Sequence, residues 1–298
     1  MPSPYLGRFA PSPSGPLHFG SLVCALASYL DAKQQGGQWH LRIEDIDPPR
    51  EVPGAAERIV RSLEQHGLGW DGPVLWQSQR STQYEAVLED LRRAGHIYPC
   101  SCTRKRLESL GHRYDGYCRQ HPATPPAAWR LTVAADQDVV FTDRHLGRQI
   151  QNLGAQGDYI IHRKDGLYAY ALAVVVDDWQ QGFTHVVRGS DLLGATGNQI
   201  YLFSLLGAKA PSYAHIPVIA DAQGQKLSKQ NHAPALDEAT PGRNLWRALW
   251  ALGATPPLEL AQAPPNQVID WGQQHWRLSQ LPPGLSCPEA QLPPASFC

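Results

Sequence analysis

No run of apolar residues in the 298-residue chain approaches the length of a membrane span, which excludes a helical membrane protein. The N-terminus has no basic region followed by an apolar one, so a secretory leader is not expected and the expected compartment is the cytoplasm. An excess of one charge is also missing. Lys and Arg number 26 against 27 Asp and Glu, a net charge of −1. That balance excludes a general polycation, and any nucleic acid must meet a local basic face. No internal repeat is present, which excludes a solenoid. The six cysteines could make three disulfides, but their placement speaks against it. Of six cysteines, three lie within Cys100–Cys118, while Cys24, Cys287 and Cys298 are scattered. Clustered cysteines in a cytosolic enzyme point to a metal more often than to bridges.

What is present is an ordinary soluble globule, 42% hydrophobic and 18% charged, long enough for one large domain or two smaller ones. Its centre is Arg8-Phe9-Ala10-Pro11-Ser12-Pro13-Ser14-Gly15-Pro16-Leu17-His18-Phe19-Gly20-Ser21. Tyr5–Gly7 before it reads as a strand. Leu22–Leu30 after it, Ala/Leu-rich and free of Pro and Gly, reads as a buried helix. Strand, stiff turn and helix N-terminus together form a phosphate-binding geometry, because free N–H groups and the positive helix end converge there. Trp39–Asp45 alternates in polarity as a second strand of a parallel sheet. It ends in Glu44, beyond the carboxyl end where such sheets bind ligands and where an ammonium could be held. Ala55–Gly67 and Thr82–Ala94 read as amphipathic helices, the second with Thr82 and Glu85 spaced as a capping box.

The Arg8–Ser21 stretch resembles the first signature of class I glutamyl-tRNA synthetases, with His18-Phe19-Gly20-Ser21 in place of the "HIGH" tetrapeptide. Arg42-Ile43-Glu44-Asp45-Ile46-Asp47 resembles that family's "RIEDTD". Asp158–Gly166 resembles "DFVIxRxDG" and is expected as a strand and turn re-entering the sheet. Lys226-Leu227-Ser228-Lys229-Gln230 resembles the "KMSKS" loop, whose lysines neutralise a pyrophosphate leaving group. Tyr168–Asp178 is a continuous apolar run expected to be buried on both faces. His185–Leu192 reads as a strand ending in a charged turn, and His215–Asp221 as the last sheet strand. Thr196–Leu206 reads as a helix with Gln199 on its polar side. Trp129–Val133, Val139–Asp143 and Ile150–Leu153 read as short strands of an insertion. Beyond Lys229 one firm helix is expected, Leu245–Leu252, in a Pro-rich end.

The resemblance implies a Rossmann-type α/β fold with a parallel sheet, a zinc-bearing insertion and a short helical tail. The expected divisions are 1–97 and 158–237 for the catalytic halves, 98–157 for the insertion and 238–298 for a C-terminal region without an anticodon-binding domain. By the same resemblance Arg8, Phe9, Ala10, Pro11, Ser12, Glu44, Tyr170 and Arg188 bind L-glutamate, with Glu44 on its ammonium. His18, Gly20, Lys226 and Lys229 bind ATP, with Mg²⁺ expected from phosphate chemistry.

Three thiols within Cys100–Cys118 suit tetrahedral zinc, which needs a fourth donor. Chemistry alone names His121, since imidazole binds zinc well. The resemblance names Tyr114 beside Cys100, Cys102 and Cys118. His121 and His112 remain the alternatives.

The expected end of the chain and the Cys/Tyr pattern narrow the resemblance to the glutamyl-Q tRNA(Asp) synthetases. These activate glutamate and transfer it to queuosine in the tRNA(Asp) anticodon. The rival expectations are a truncated synthetase charging the 3′ end of tRNA and a non-catalytic zinc-bearing RNA-binding protein. A monomer without membrane contact is expected.

Overall fold

The structure, a computed structural model, describes residues 4–111, 114–221, 223–227 and 234–294. Ser228, Lys229 and Gln230 of the lysine-rich loop, as well as His112, lie outside the described residues. No helix among the described residues is long and apolar enough to cross a membrane.

The chain opens with β1 (Leu6–Phe9), α1 (Phe19–Gln34) and β2 (Gln38–Ile43). β1 pairs in parallel with β2 from Leu6↔Gln38 to Phe9↔Leu41, and α1 crosses between them. α1 is buried almost all round, as its Ala/Leu composition predicts. After α2 (Ala55–Gln65) comes β3 (Leu75–Trp76), which adds to β2 in parallel. α3 (Ser81–Arg93) follows directly on a 3₁₀ turn over Gln77–Arg80. The anticipated capping box at Thr82 and Glu85 does not form. The preceding turn runs straight into α3, so Thr82 lies within the first helical turn and not at the N-cap, which is Arg80, and Glu85 instead accepts from the Tyr168 hydroxyl at 3.0 Å.

β4 (Ile97–Cys100) then begins a different layer. It is followed by α4 (Arg104–Ser109), α5 (Tyr117–Gln120), β5 (Ala128–Leu131), the hairpin of β6 (Asp138–Asp143) with β7 (Gly147–Asn152), α6 (Leu153–Gln156) and β8 (Tyr159–His162). β8 pairs antiparallel with β5, and β5 with β4. The strand expected to re-enter the parallel sheet therefore completes a separate antiparallel one.

α7 (Tyr170–Gln180) contains Val174-Val175-Val176, residues that favour strands, yet it is helical. Packing against α3, β8 and α8 (Leu193–Leu205) overrides the local preference. Gln199 of α8 is 2% exposed, not on a polar face, because α8 is covered on that side too. β9 (His185–Gly189) lies beside β1, where the Thr184 N–H donates to the Leu6 carbonyl, and pairs in parallel with β10 (Ser212–Ile216).

β11 (Val218–Ala220) pairs with a strand the sequence did not announce, β12 (Ser286–Pro288). Among the described residues the C-terminal region holds two α-helices, α9 (Pro241–Ala251) and α10 (Pro265–His275), both packed on α1. Leu245, Leu249, Trp276 and Leu281 join one apolar core with Leu22, Leu26 and Trp39. The end of the chain thus completes the core around α1. A second core lies between α3, α7 and α8.

Candidate active site

The carboxyl ends of β1, β2 and β9 open onto one cavity of about 740 Å³. Phe9, Ala10, Pro11 and Ser12 border it as the chain leaves β1, and the Pro11 carbonyl accepts the Glu44 N–H at 3.0 Å. His18 caps α1: its Nδ1 lies 3.3 Å from the Ser21 N–H and its Nε2 3.0 Å from Ser21 Oγ. A Cβ on Gly20 would stand 3.2 Å from the His18 ring, so glycine lets the ring lie against the helix entry.

Beneath this rim is a buried charge network. Arg8 donates to Asp178 through Nε at 3.2 Å and Nη2 at 2.9 Å. Arg42, wholly buried, stands 2.7 Å from Asp178 and 3.3 Å from Glu44. Asp177 accepts from Gln77 at 2.8 Å, Tyr84 at 2.9 Å and Arg80 at 2.5 Å. Three guanidinium groups face three carboxylates, the balance that buried charge requires. Burial pushes the Asp178 carboxyl up, but Arg8 and then Arg42 outweigh it and hold it below the usual range. For Glu44 burial prevails over the same arginines, and its carboxyl is raised.

Arg188, 3% exposed, approaches from β9. It donates from Nη2 to Thr196 Oγ1 at 2.8 Å and from Nε to His215 Nε2 at 3.1 Å, with Nη1 3.4 Å from the Tyr170 hydroxyl. All of these partners can be neutral, unlike the carboxylate held by Arg8. Lys226 lines the cavity and pairs with Asp191 at 2.5 Å.

Away from this cavity, the sulfur atoms of Cys100, Cys102 and Cys118 lie within 4.8 Å of one another. The Tyr114 hydroxyl stands 3.8 Å from Cys100 Sγ, and all three of Cys100, Tyr114 and Cys118 are buried. Arg130 donates to Cys100 Sγ at 3.2 Å and lies 4.0 Å over the Tyr114 ring. The guanidinium supplies a donor to one sulfur of the cluster, as the outer partners of metal ligands do. His121 points elsewhere: it is exposed, stacked on Tyr117, with Nδ1 3.1 Å from the Tyr117 carbonyl. The thiol cluster could hold a metal ion, and the donor set suits one.

Residues 6–243 match the catalytic-domain model of the class I tRNA synthetases for E and Q. The glutamyl-Q tRNA(Asp) synthetase of Pseudomonas aeruginosa strain PAO1 is 50% identical over 294 residues, covering 98% of this chain and 100% of its own length. The chain belongs to the glutamyl-Q tRNA(Asp) synthetase family. The relative of the same name in Vibrio cholerae is 49% identical, covering 95% of this chain and 94% of its own. Among solved structures, a glutamate tRNA ligase from Elizabethkingia meningosepticum, determined with its amino acid, aligns with a TM-score of 0.78 at 26% identity. That alignment covers 94% of this chain and 66% of the ligase, so the chain spans about two thirds of the ligase's length.

For a glutamyl-Q tRNA(Asp) synthetase, the sequence-expected residues Arg8, Phe9, Ala10, Pro11, Ser12, His18, Gly20, Glu44, Tyr170, Arg188 and Lys226 all border the one cavity. Lys229 lies outside the described residues. The sequence motifs assign no role to Asp178, which holds Arg8, to Arg42, which holds Glu44, or to Asp177 beside Arg42. The signal available was an aspartate pair closing an apolar run: charges on a buried helix need partners.

Proposed function

We infer that this protein activates L-glutamate with ATP and transfers the glutamyl group to queuosine in the anticodon of tRNA(Asp). The observation that carries the reading is the convergence of Arg8, Glu44, Tyr170 and Arg188 on one cavity beside the N-terminus of α1. Arg188, whose partners leave its charge uncompensated, receives the side-chain carboxylate in a guanidinium fork. Glu44 receives the ammonium. Arg8, already paired to Asp178, and Ser12 complete the amino-acid site. ATP lies against His18 and Gly20, where the N–H groups and positive end of α1 meet phosphate, and Lys226 and Lys229 neutralise the departing pyrophosphate.

In the first step an oxygen of the glutamate α-carboxylate attacks the α-phosphorus, and the bond to the β-phosphate breaks. The products are glutamyl-adenylate and pyrophosphate. In the second step a hydroxyl of the queuosine cyclopentenediol attacks the activated carbonyl carbon and gives up its proton, the bond from that carbon to the phosphate oxygen breaks, AMP leaves, and an ester forms. Mg²⁺ accompanies the ATP and screens its phosphates.

Zinc is the metal proposed for Cys100, Cys102, Cys118 and Tyr114. It would crosslink a small lobe that has little apolar core, a structural role. Tyr114 is preferred to His121 because the phenol, not the imidazole, lies among the thiols.

The test is pyrophosphate exchange with L-glutamate and with glutamine. An uncharged amide leaves Arg188 short of its anionic partner, so exchange should proceed with glutamate and poorly with glutamine. Equal rates would overturn the assignment.

A further inference from the structure

Arg188 is aimed by residues outside the amino-acid site. His215 lies directly across from it in the β9–β10 register, fully buried, and its Nε2 faces Arg188 Nε at 3.1 Å. The other ring nitrogen, Nδ1, is 2.6 Å from Asp143 Oδ2. Asp143 ends β6, and its carboxylate also receives the N–H groups of His145 at 3.0 Å, Leu146 at 2.9 Å and His215 at 3.2 Å. An ionised carboxylate only accepts, so the hydrogen sits on Nδ1 and the Nε2 lone pair is left for Arg188. Either the other tautomer or the imidazolium would set N–H against N–H.

We propose that Asp143 and His215 are positioning residues for amino-acid recognition: Asp143 fixes the His215 tautomer, and His215 fixes the Arg188 guanidinium that binds the glutamate side chain. The inference rests on the reading of Arg188 as a glutamate contact. It couples the β6–β7 hairpin to the pocket, since the carboxylate that orients the imidazole belongs to the hairpin. Two further side chains complete the packing around the pair. Thr196 Oγ1 is 2.9 Å from His215 Nε2 and holds Arg188 Nη2, while Tyr213 lies under the guanidinium at 4.9 Å and parallel to the imidazole. Burial and the Arg188 charge favour neutral imidazole and prevail over Asp143 and Asp191, which act in the opposite sense.

Two substitutions separate positioning from packing, because both remove the ring. In His215→Gln the amide oxygen reaches the place of Nε2 and keeps an acceptor for Arg188. In His215→Asn the amide reaches only the place of Nδ1. The glutamate KM in pyrophosphate exchange should rise on the order of tenfold or more in His215→Asn. His215→Gln should stay much closer to wild type, and the ATP KM should hardly move in either. Asp143→Asn, whose amide donates to Nδ1 and reverses the tautomer, should behave like His215→Asn. Equal glutamate effects of Gln and Asn, or equal effects on the ATP KM, would overturn the proposal. Should the variants fail to fold, nitrogen-15 histidine spectra of the wild-type protein decide: His215 with its hydrogen on Nδ1 supports the proposal, and on Nε2 refutes it. Arg188→Lys distinguishes the underlying reading. An unchanged glutamate KM there removes Arg188 from the site. A raised one, with His215→Asn and Asp143→Asn unchanged, refutes the positioning alone.

Discussion

Burial makes a charge on Glu44 costly, and Arg42 and Arg8 offset only part of that cost. Burial raises its carboxyl, so the folded protein binds that proton more tightly than the unfolded chain does. Stability from this group is therefore present at low pH and lost as pH rises through the raised value. Glu44→Gln removes that unfavourable ionisation, while Arg42 keeps Asp178 and Gln181 as partners. The variant should lack this fall in stability as pH rises. Its kcat/KM for glutamate should fall on the order of 10- to 150-fold, the loss of one charge-assisted hydrogen bond. Calorimetry and pyrophosphate exchange on the same preparation check both halves, and unchanged kcat/KM would remove Glu44 from the ammonium site. Residues of this kind were legible because each sits in a motif at a strand end. Their supports were not. Arg42 read as part of a strand, and Asp177 and Asp178 as the end of an apolar run, because charge pairing across elements leaves no local pattern.

At the scale of elements, the strand–turn–helix unit of β1 and α1 was legible from composition and breakers alone. The antiparallel placement of β8 was not, since a four-residue strand carries no sign of which sheet it joins. α10 begins at Pro265, a residue suited to a first helical turn, but the surrounding prolines masked it. β12 is three residues long and exists through its pairing with β11. The thiol cluster shows both outcomes. Its cysteines were evident from spacing, whereas the choice between Tyr114 and His121 depends on α5, which turns His121 outward onto Tyr117. Purified protein should carry one zinc per chain. Tyr114→Phe should retain it less well against a chelator than wild type, and His121→Ala should retain it as well as wild type. The reverse order, by metal analysis, would exchange the ligand.

For the whole molecule, stability should depend on pH through buried imidazoles. His66 and His215 are fully buried, and burial pushes both below their ordinary range, about 6.5. Below that value the unfolded chain takes up protons that the folded protein refuses, so stability falls as pH falls. Each such histidine contributes up to ~1.4 kcal/mol per pH unit while it stays neutral. Tm by calorimetry should therefore be lower near pH 5.5 than near pH 7.5, and a higher Tm at the acid end would contradict these burials.

The destination of the glutamyl group separates modification of the anticodon from charging of the 3′ end. A cyclopentenediol presents two adjacent hydroxyls, as a ribose does, and splayed anticodon bases offer edges and faces for recognition. The protein is incubated with labelled glutamate, ATP and tRNA from cells able or unable to make queuosine, followed by nuclease digestion. Label should appear only in queuosine-containing tRNA(Asp), on its anticodon fragment. Undiminished labelling of tRNA lacking queuosine, or label released with the 3′-terminal adenosine, would rule out queuosine as the acceptor.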